Sequence, residues 1–295
     1  MIQSKIKGVG VALITPFKDY KVDYEALERM VEYVIRGGVD YIVALGSTAE
    51  TATLNIEERH NVLRFIVDKS ANRVPIVAGM GGNDTHALVE QLKSFDLSGT
   101  VAILSVVPYY NKPSQEGVYR HFMAVAEASP VPVIIYNVPG RTGMNMTAAT
   151  TLRLAKATNK IIAIKEACGN IEQMQAILDG RPENFLVLSG DDGLTVELIK
   201  RGGEGVISVA ANAFPEKFCT CVHNAMAGNI AQAEQQMEQL NEPINLLFRE
   251  GNPTGVKGMC ASMGMTTPEV RLPLVEYTDA LKSDIEKAIA MYDLK

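Results

Sequence analysis

The stretch I-I-A-I-K-E-A-C-G-N, residues 161–170, decides how the whole chain is read. Aliphatic residues run straight into Lys165, and Cys168-Gly169-Asn170 then predicts a turn. An apolar run this short and unbroken reads as a strand covered on both faces. Its end therefore points into the protein or into a cleft. A lysine in that place has three options. It snorkels its ammonium to water, pairs with a carboxylate, or is kept neutral so that it can attack a carbonyl. The rest of the chain has to select among them.

Similar β-branched runs recur at residues 9–14, 41–45, 75–78, 101–106, 133–136, 185–188 and 206–209, which with 161–164 makes eight. Amphipathic patterns lie between them. In the first, Tyr24, Leu27, Met30, Val31 and Val34 fall three and four apart, with Asp23 as a start signal and Gly37-Gly38 as a stop. Alternating strand and helix means right-handed crossovers and a parallel sheet. Eight such units predict a closed (β/α)8 TIM barrel. The competing architecture, an open doubly wound sheet, carries its glycine-rich dinucleotide turn after the first strand. Here the nearest match, Gly79-Met80-Gly81-Gly82-Asn83-Asp84, follows the third strand and has Asp84 where the third glycine belongs. It reads as a tight, exposed turn.

After the eighth strand the pattern turns helical. Phe218, Val222, Ala225 and Met226 line one face, Ile230, Ala233, Met237 and Leu240 the next, and Gly228-Asn229 and Glu242-Pro243 punctuate them. The expected organisation is a catalytic barrel over residues 1–215 and a C-terminal helical appendage over residues 216–295, with no low-complexity linker between.

The chain has 295 residues, 47% hydrophobic and 21% charged, with a net charge of −6. Its basic residues are scattered, which argues against nucleic acid and membrane surfaces as partners. No window approaches the roughly 18 apolar residues of a membrane span, and the N-terminus lacks the signature of a secretory leader. Four cysteines, Cys168, Cys219, Cys221 and Cys260, and four scattered histidines have no zinc spacing. The expectation is a cytoplasmic protein with reduced thiols, no metal and no organic cofactor.

In such a barrel the chemistry sits at the carboxyl ends of the strands. Those ends read Thr15-Pro16, Gly46-Ser47-Thr48-Ala49-Glu50, Pro108-Tyr109-Tyr110-Asn111, Tyr136-Asn137, Lys165 and Gly190-Asp191-Asp192. Each has an ordinary reading. Ser47 and Thr48 suit a helix cap, as do Asp191 and Asp192; Tyr109 and Tyr110 suit an interface, and Arg141 a solvated loop. Their convergence on one mouth favours chemistry. An amine that attacks a carbonyl must be neutral, while free lysine has a pKa of about 10.4. Burial in an apolar barrel disfavours its charged form. A tyrosine with a serine or threonine hydroxyl passes protons without adding a full charge, and Arg141 with the Ser47-Thr48 turn offers donors for a substrate carboxylate. The set describes a Schiff-base lyase or aldolase.

These motifs, in this order, resemble the pyruvate-dependent class I aldolase superfamily and, within it, the dihydrodipicolinate synthase family. The likeness runs nearly end to end. It rests on residues 46–50, on P-Y-Y-N-K-P-S-Q-E-G (108–117), Y-N-V-P-G-R-T-G (136–143), I-K-E-A-C-G-N (164–170), L-S-G-D-D (188–192) and G-V-I-S-V (205–209). The resemblance implies that Lys165 forms a Schiff base with pyruvate. It makes Tyr136 the proton donor and acceptor, linked through Ser47 to Tyr110 from a neighbouring subunit. Thr48 and Ile207 then contact pyruvate, and Arg141 holds the carboxylate of L-aspartate 4-semialdehyde. It further implies a homotetramer of tight dimers in the diaminopimelate route to lysine.

The family turn usually reads G-T-T-G-E, so Ser47 and Ala49 are departures. Serine keeps the hydroxyl without the methyl that fixes its rotamer, and alanine matters only if that position needs positive φ. A second departure concerns feedback: where lysine-sensitive members carry a histidine and a glutamate, this chain has Ile56 and Ala87, beside a retained Asn83, Tyr109 and Thr51-Ala52. Two competing readings remain on the sequence. N-acetylneuraminate lyase has the turn G-S-T-G-E but not Arg141 or the 108–117 stretch. A catalytically silent keto-acid-binding barrel is disfavoured by the presence of Lys165 and Tyr136.

Overall fold

The computed structural model describes residues 2–294. Eight parallel strands close into one barrel in chain order: Gly8–Ala12, Tyr41–Ala44, Ile76–Gly79, Thr100–Val106, Val133–Asn137, Ile161–Glu166, Leu186–Ser189 and Gly205–Ser208. The first strand pairs with the second on one side and with the eighth on the other, so no edge is left open. Each strand falls within two residues of its expected place. The sixth runs two residues further than its aliphatic run, so Lys165 lies inside the strand.

Side chains alternate across each strand, which splits the apolar residues into two cores. The barrel interior holds Tyr41, Val43, Leu104, Ile134, Leu188 and Ile207, and Ile6, just ahead of the first strand, belongs to the same cluster. Tyr41 is fully buried and lies against Gly10, where a Cβ would sit 2.1 Å from its ring. The outer core lies between the barrel and its helices, where Ile42, Ile103, Ile135, Ile164 and Val187 meet Leu27, Phe122 and Phe218. Continuous apolar runs are therefore required by two covered faces.

The first helix, Tyr24–Arg36, starts and stops where its signals predict, with the Asp23 carboxylate accepting from the Ala26 amide. A small hairpin, Phe17–Lys18 with Lys21–Val22, was not anticipated. Asp19 and Tyr20 at its tip have φ of 52° and 64°, a left-handed pair in residues other than glycine. The expected break at Glu242-Pro243 is also absent: Ile230–Phe248 is one helix with Pro243 inside it. The proline removes one backbone donor, and burial of Leu240, Ile244, Leu246 and Leu247 carries the helix past it. Helices Thr254–Ser262 and Asp279–Met291 follow. Among the described residues no helix is long and apolar enough to cross a membrane. All four cysteines are free, three of them buried.

Candidate active site

The fifth and sixth strands present two faces. Tyr136 pairs in register with Lys165, and Asn137 with Glu166. Alternation sends Tyr136 and Lys165 into the barrel and Asn137 and Glu166 out towards the helices. The Lys165 ammonium lies 4.3 Å from the Tyr136 ring centroid. Lys165 is only 4% exposed, so it does not reach free solvent, and it takes part in none of the ion pairs among the described residues. Of the three options for this lysine, pairing with a carboxylate is not the one taken among the described residues, and most of the side chain is withdrawn from water.

The outward face stiffens the same strand end. The buried Glu166 carboxylate accepts from the Cys168 amide at 2.9 Å, from Asn137 Nδ2 at 2.9 and 3.1 Å, and from Gln173 Nε2 at 3.0 Å. Desolvation raises its pKa, against the hydrogen bonds from Asn137, Gln173 and Cys168. On the neighbouring strand end Gly190 leaves room for the lysine: a Cβ there would lie 3.1 Å from Lys165 Cε and 2.5 Å from Ala167 Cβ.

The turn after the second strand is a short 3-10 segment, Ser47–Ala49. Its hydroxyls cap no helix: the 3-10 segment Thr51–Thr53 that follows has no side-chain cap, and the next α-helix, Ile56–Ser70, starts at Asn55 with its own capping box to Glu58. Ser47 is exposed and Thr48 buried. The left-handed position falls on Glu50, at φ 55°, and not on Ala49, so the alanine carries no backbone penalty. Ser47, Tyr136 and Arg141 line one cleft of about 220 Å³, with Thr51, Arg59 and Tyr109. A roomier hollow of about 700 Å³, between Glu216, Gln239 and Tyr292, lies on the outer helices and contains none of these groups.

Lys165, Thr48, Tyr110 and Ile207 do not line that cleft within one chain; Lys165 meets it through its neighbour Tyr136. Tyr110 is 88% exposed, at φ 71°, and the cleft wall carries Tyr109 instead. Ile207 is fully buried in the barrel interior, in the same cluster as Tyr136. Thr48 faces the C-terminal region, its Oγ1 accepting from Asn252 Nδ2 at 2.9 Å. The aspartates after the seventh strand are not helix caps. Asp192 is buried and accepts from the Val209 and Ala210 amides at 3.1 and 3.0 Å, holding the end of the eighth strand. Burial pushes its carboxyl up to about 6 despite those bonds. Asp191 closes its own turn by accepting from the Gly193 amide.

The sequence reading missed the contribution of residues 252–271. Asn252 also takes a 2.8 Å hydrogen bond from Arg141 on its carbonyl, so one residue touches both Thr48 and Arg141. Lys257 is fully buried and ion-paired with Glu50. Its ammonium donates to the Glu269 carbonyl at 2.9 Å and lies 4.0 Å from the Phe17 ring centroid. Burial draws it down to about 8, while Glu50 opposes the shift. Breaking a pair so buried costs about 3–5 kcal/mol, because the surviving charge stays desolvated. The one sequence signal was a lysine inside the apolar run V-K-G-M-C, residues 256–260.

Comparison with known proteins gives the family and the fold. A family model described as the dihydrodipicolinate synthetase family matches residues 5–292. A 4-hydroxy-tetrahydrodipicolinate synthase of Phocaeicola vulgatus is 53% identical, over 93% of each chain. The chloride-inhibited dihydrodipicolinate synthase of Acinetobacter baumannii, solved in complex with pyruvate, is 38% identical with a TM-score of 0.95, covering 98% of this chain and 100% of that one. The enzyme of Cyanidioschyzon merolae, solved with lysine bound, is 35% identical with a TM-score of 0.94, covering 98% and 99%.

Proposed function

Because the chain belongs to the dihydrodipicolinate synthetase family, we propose that it is a 4-hydroxy-tetrahydrodipicolinate synthase. It condenses pyruvate with L-aspartate 4-semialdehyde in the diaminopimelate route to lysine. The observation that carries this reading is the burial of Lys165, free of any ion pair, beside Tyr136 at adjacent strand ends.

The chemistry follows from those positions. Lys165 Nζ attacks the pyruvate carbonyl and water leaves, giving an imine. Loss of a methyl proton makes an enamine, whose carbon attacks the aldehyde. The amine of the second substrate then closes the ring on the imine carbon and frees Lys165. Each stage moves a proton, and Tyr136 is the acceptor and donor, relayed through the exposed Ser47 hydroxyl. Thr48 and Ile207 contact bound pyruvate, and Arg141, exposed at the cleft wall, holds the second substrate's carboxylate.

Tyr110 completes the relay only from a neighbouring subunit. Its 88% exposure in the single chain leaves it free to enter a neighbour's site; the assembly we propose is a homotetramer of tight dimers, in the cytoplasm. Arg141 at the cleft wall and the 108–117 stretch favour this reading over the neuraminate lyase. The deciding experiment is a coupled assay of pyruvate with aspartate semialdehyde beside one with N-acetylneuraminate. Turnover in the first alone is expected; turnover in the second alone would replace this function with the lyase.

A further inference from the structure

The turn that presents Ser47 and Thr48 is closed by local hydrogen bonds, from Thr51 to the Gly46 carbonyl and from Thr53 to that of Glu50, and is also held from the other end of the chain. It ends at Glu50, whose amide donates to the Ser47 carbonyl at 3.1 Å and whose backbone is left-handed. A residue other than glycine keeps that conformation only where its surroundings over-determine it. Here the determinants are electrostatic. The Glu50 carboxylate pairs with Lys257 and takes a 2.9 Å hydrogen bond from the Arg271 amide. Arg271 is itself anchored, with its guanidinium on both oxygens of Glu58 at 2.8 and 2.6 Å and on the carbonyls of Thr53 and Tyr20. Lys257 and Arg271 both lie over the Phe17 ring, at 4.0 and 4.3 Å. The segment leading into the helix of Lys257 grips the turn a second time, through Asn252 on Thr48.

We propose that Glu50 and Lys257 are positioning residues for the reaction: their buried ion pair, with Asn252 as a second point of hold, clamps the Ser47–Thr48 turn against the barrel mouth. The C-terminal helices are then part of the catalytic apparatus. This rests on the roles assigned above to Ser47 and Thr48. The clamp acts on the relay and leaves the nucleophile alone, since Lys165 is built on the sixth strand and shares no hydrogen bond with the pair. A residue that only stabilises the fold would affect neither selectively.

The test compares Glu50→Gln, Lys257→Met and Asn252→Ala with the unmodified full-length enzyme. Four quantities are read: kcat and KM in the coupled assay, the melting temperature, and the yield of the borohydride-trapped pyruvate adduct. The clamp predicts kcat lower by about 10- to 100-fold, the scale of a displaced catalytic group, in protein that is folded at the assay temperature. At saturating pyruvate, with trapping carried to its end point, it also predicts one trapped adduct per chain, as in the parent. Variants with parental kcat and only a lower melting temperature would overturn the inference, as would a trapping yield that falls in step with kcat. If loss of the buried charge pair prevents folding, Asn252→Ala decides alone, because it leaves no desolvated charge; unchanged kcat there contradicts the clamp. No adduct and no turnover in the unmodified enzyme would instead sink the functional reading, and the clamp with it.

Discussion

Tyr136 and Lys165 are register partners on adjacent parallel strands, and the Lys165 ammonium lies 4.3 Å from the Tyr136 ring centroid. Two rules of sheet geometry produce this. Parallel register sets the residues side by side, and period-two alternation turns both inward while Asn137 and Glu166 turn outward. The buried Glu166 network then fixes the strand end from behind, so Lys165 rests on a rigid element.

The room around Lys165 makes Gly190 a sensitive position. A Cβ there would fall 2.5 Å from Ala167 Cβ and 3.1 Å from Lys165 Cε. Gly190→Ala should cost about 1–3 kcal/mol of stability through overpacking and lower kcat/KM by at least about tenfold through a displaced lysine. Steady-state kinetics with a thermal melt check both, and an alanine variant with parental kcat/KM would show that the lysine has slack.

Tyr110 provides a test of assembly. Its exposure predicts that it works only across an interface, so Tyr110→Phe and Lys165→Ala should each be poorly active alone. Co-expressed in equal amounts, half the tight dimers are mixed and each holds one intact site. Activity should then recover to about a quarter of the parent's, the share set by two-fold pairing. A mixture that forms yet shows only the parents' residual rates would place the relay within one chain.

Much of this was legible in the sequence, for physical reasons. Each strand is a short aliphatic run because both its faces are covered, and Lys165 stands out because it interrupts one. The hairpin at Phe17–Val22 was not legible, because its turn uses Asp19 and Tyr20 in a left-handed conformation that favours glycine or asparagine. The partnerships of Asn252, Lys257 and Arg271 were invisible for another reason. These residues lie more than 200 residues from Thr48, Glu50 and Glu58, so no local pattern joins them. Asp192 misled because a carboxylate after a strand more often caps a helix than anchors the next strand.

Acid should expose His121. The ring is buried, its Nδ1 lies 2.9 Å from Thr85 Oγ1, and desolvation holds its pKa down to about 4. The unfolded chain binds that proton near 6.5, so it holds more protons than the native state between pH 6.5 and 4. Stability from this group is complete above 6.5 and is lost as pH falls through that window, by at most about 3 kcal/mol. Asp192, with a raised pKa, contributes in the opposite sense between 3.8 and 6. The comparison must therefore be with His121→Gln, whose unfolding free energy should fall less steeply from pH 7 to 4.5. Equal slopes would mean the histidine is protonated in the native state.

Lysine should inhibit weakly or not at all. Ile56 is 54% exposed and Ala87 is exposed, so neither offers a charge. Asp84, three residues before Ala87, is occupied as a helix cap on the Ala87 amide, and Glu90, three after it, pairs with Lys93. An effector ammonium left without a partner loses about 2–5 kcal/mol. A titration of L-lysine at subsaturating pyruvate reads this directly; half-inhibition below about a millimolar would show that other groups receive the ammonium.

The covalent step is the most direct test of the whole account. Borohydride added with pyruvate should reduce the imine and leave one pyruvate-derived adduct per chain, mapped by peptide mass spectrometry to Lys165. Lys165→Arg should give none and be nearly inactive, because a guanidinium stays charged and forms no imine. An unmodified Lys165 peptide, or an adduct carried instead by Lys257 or Lys112, would contradict the mechanism.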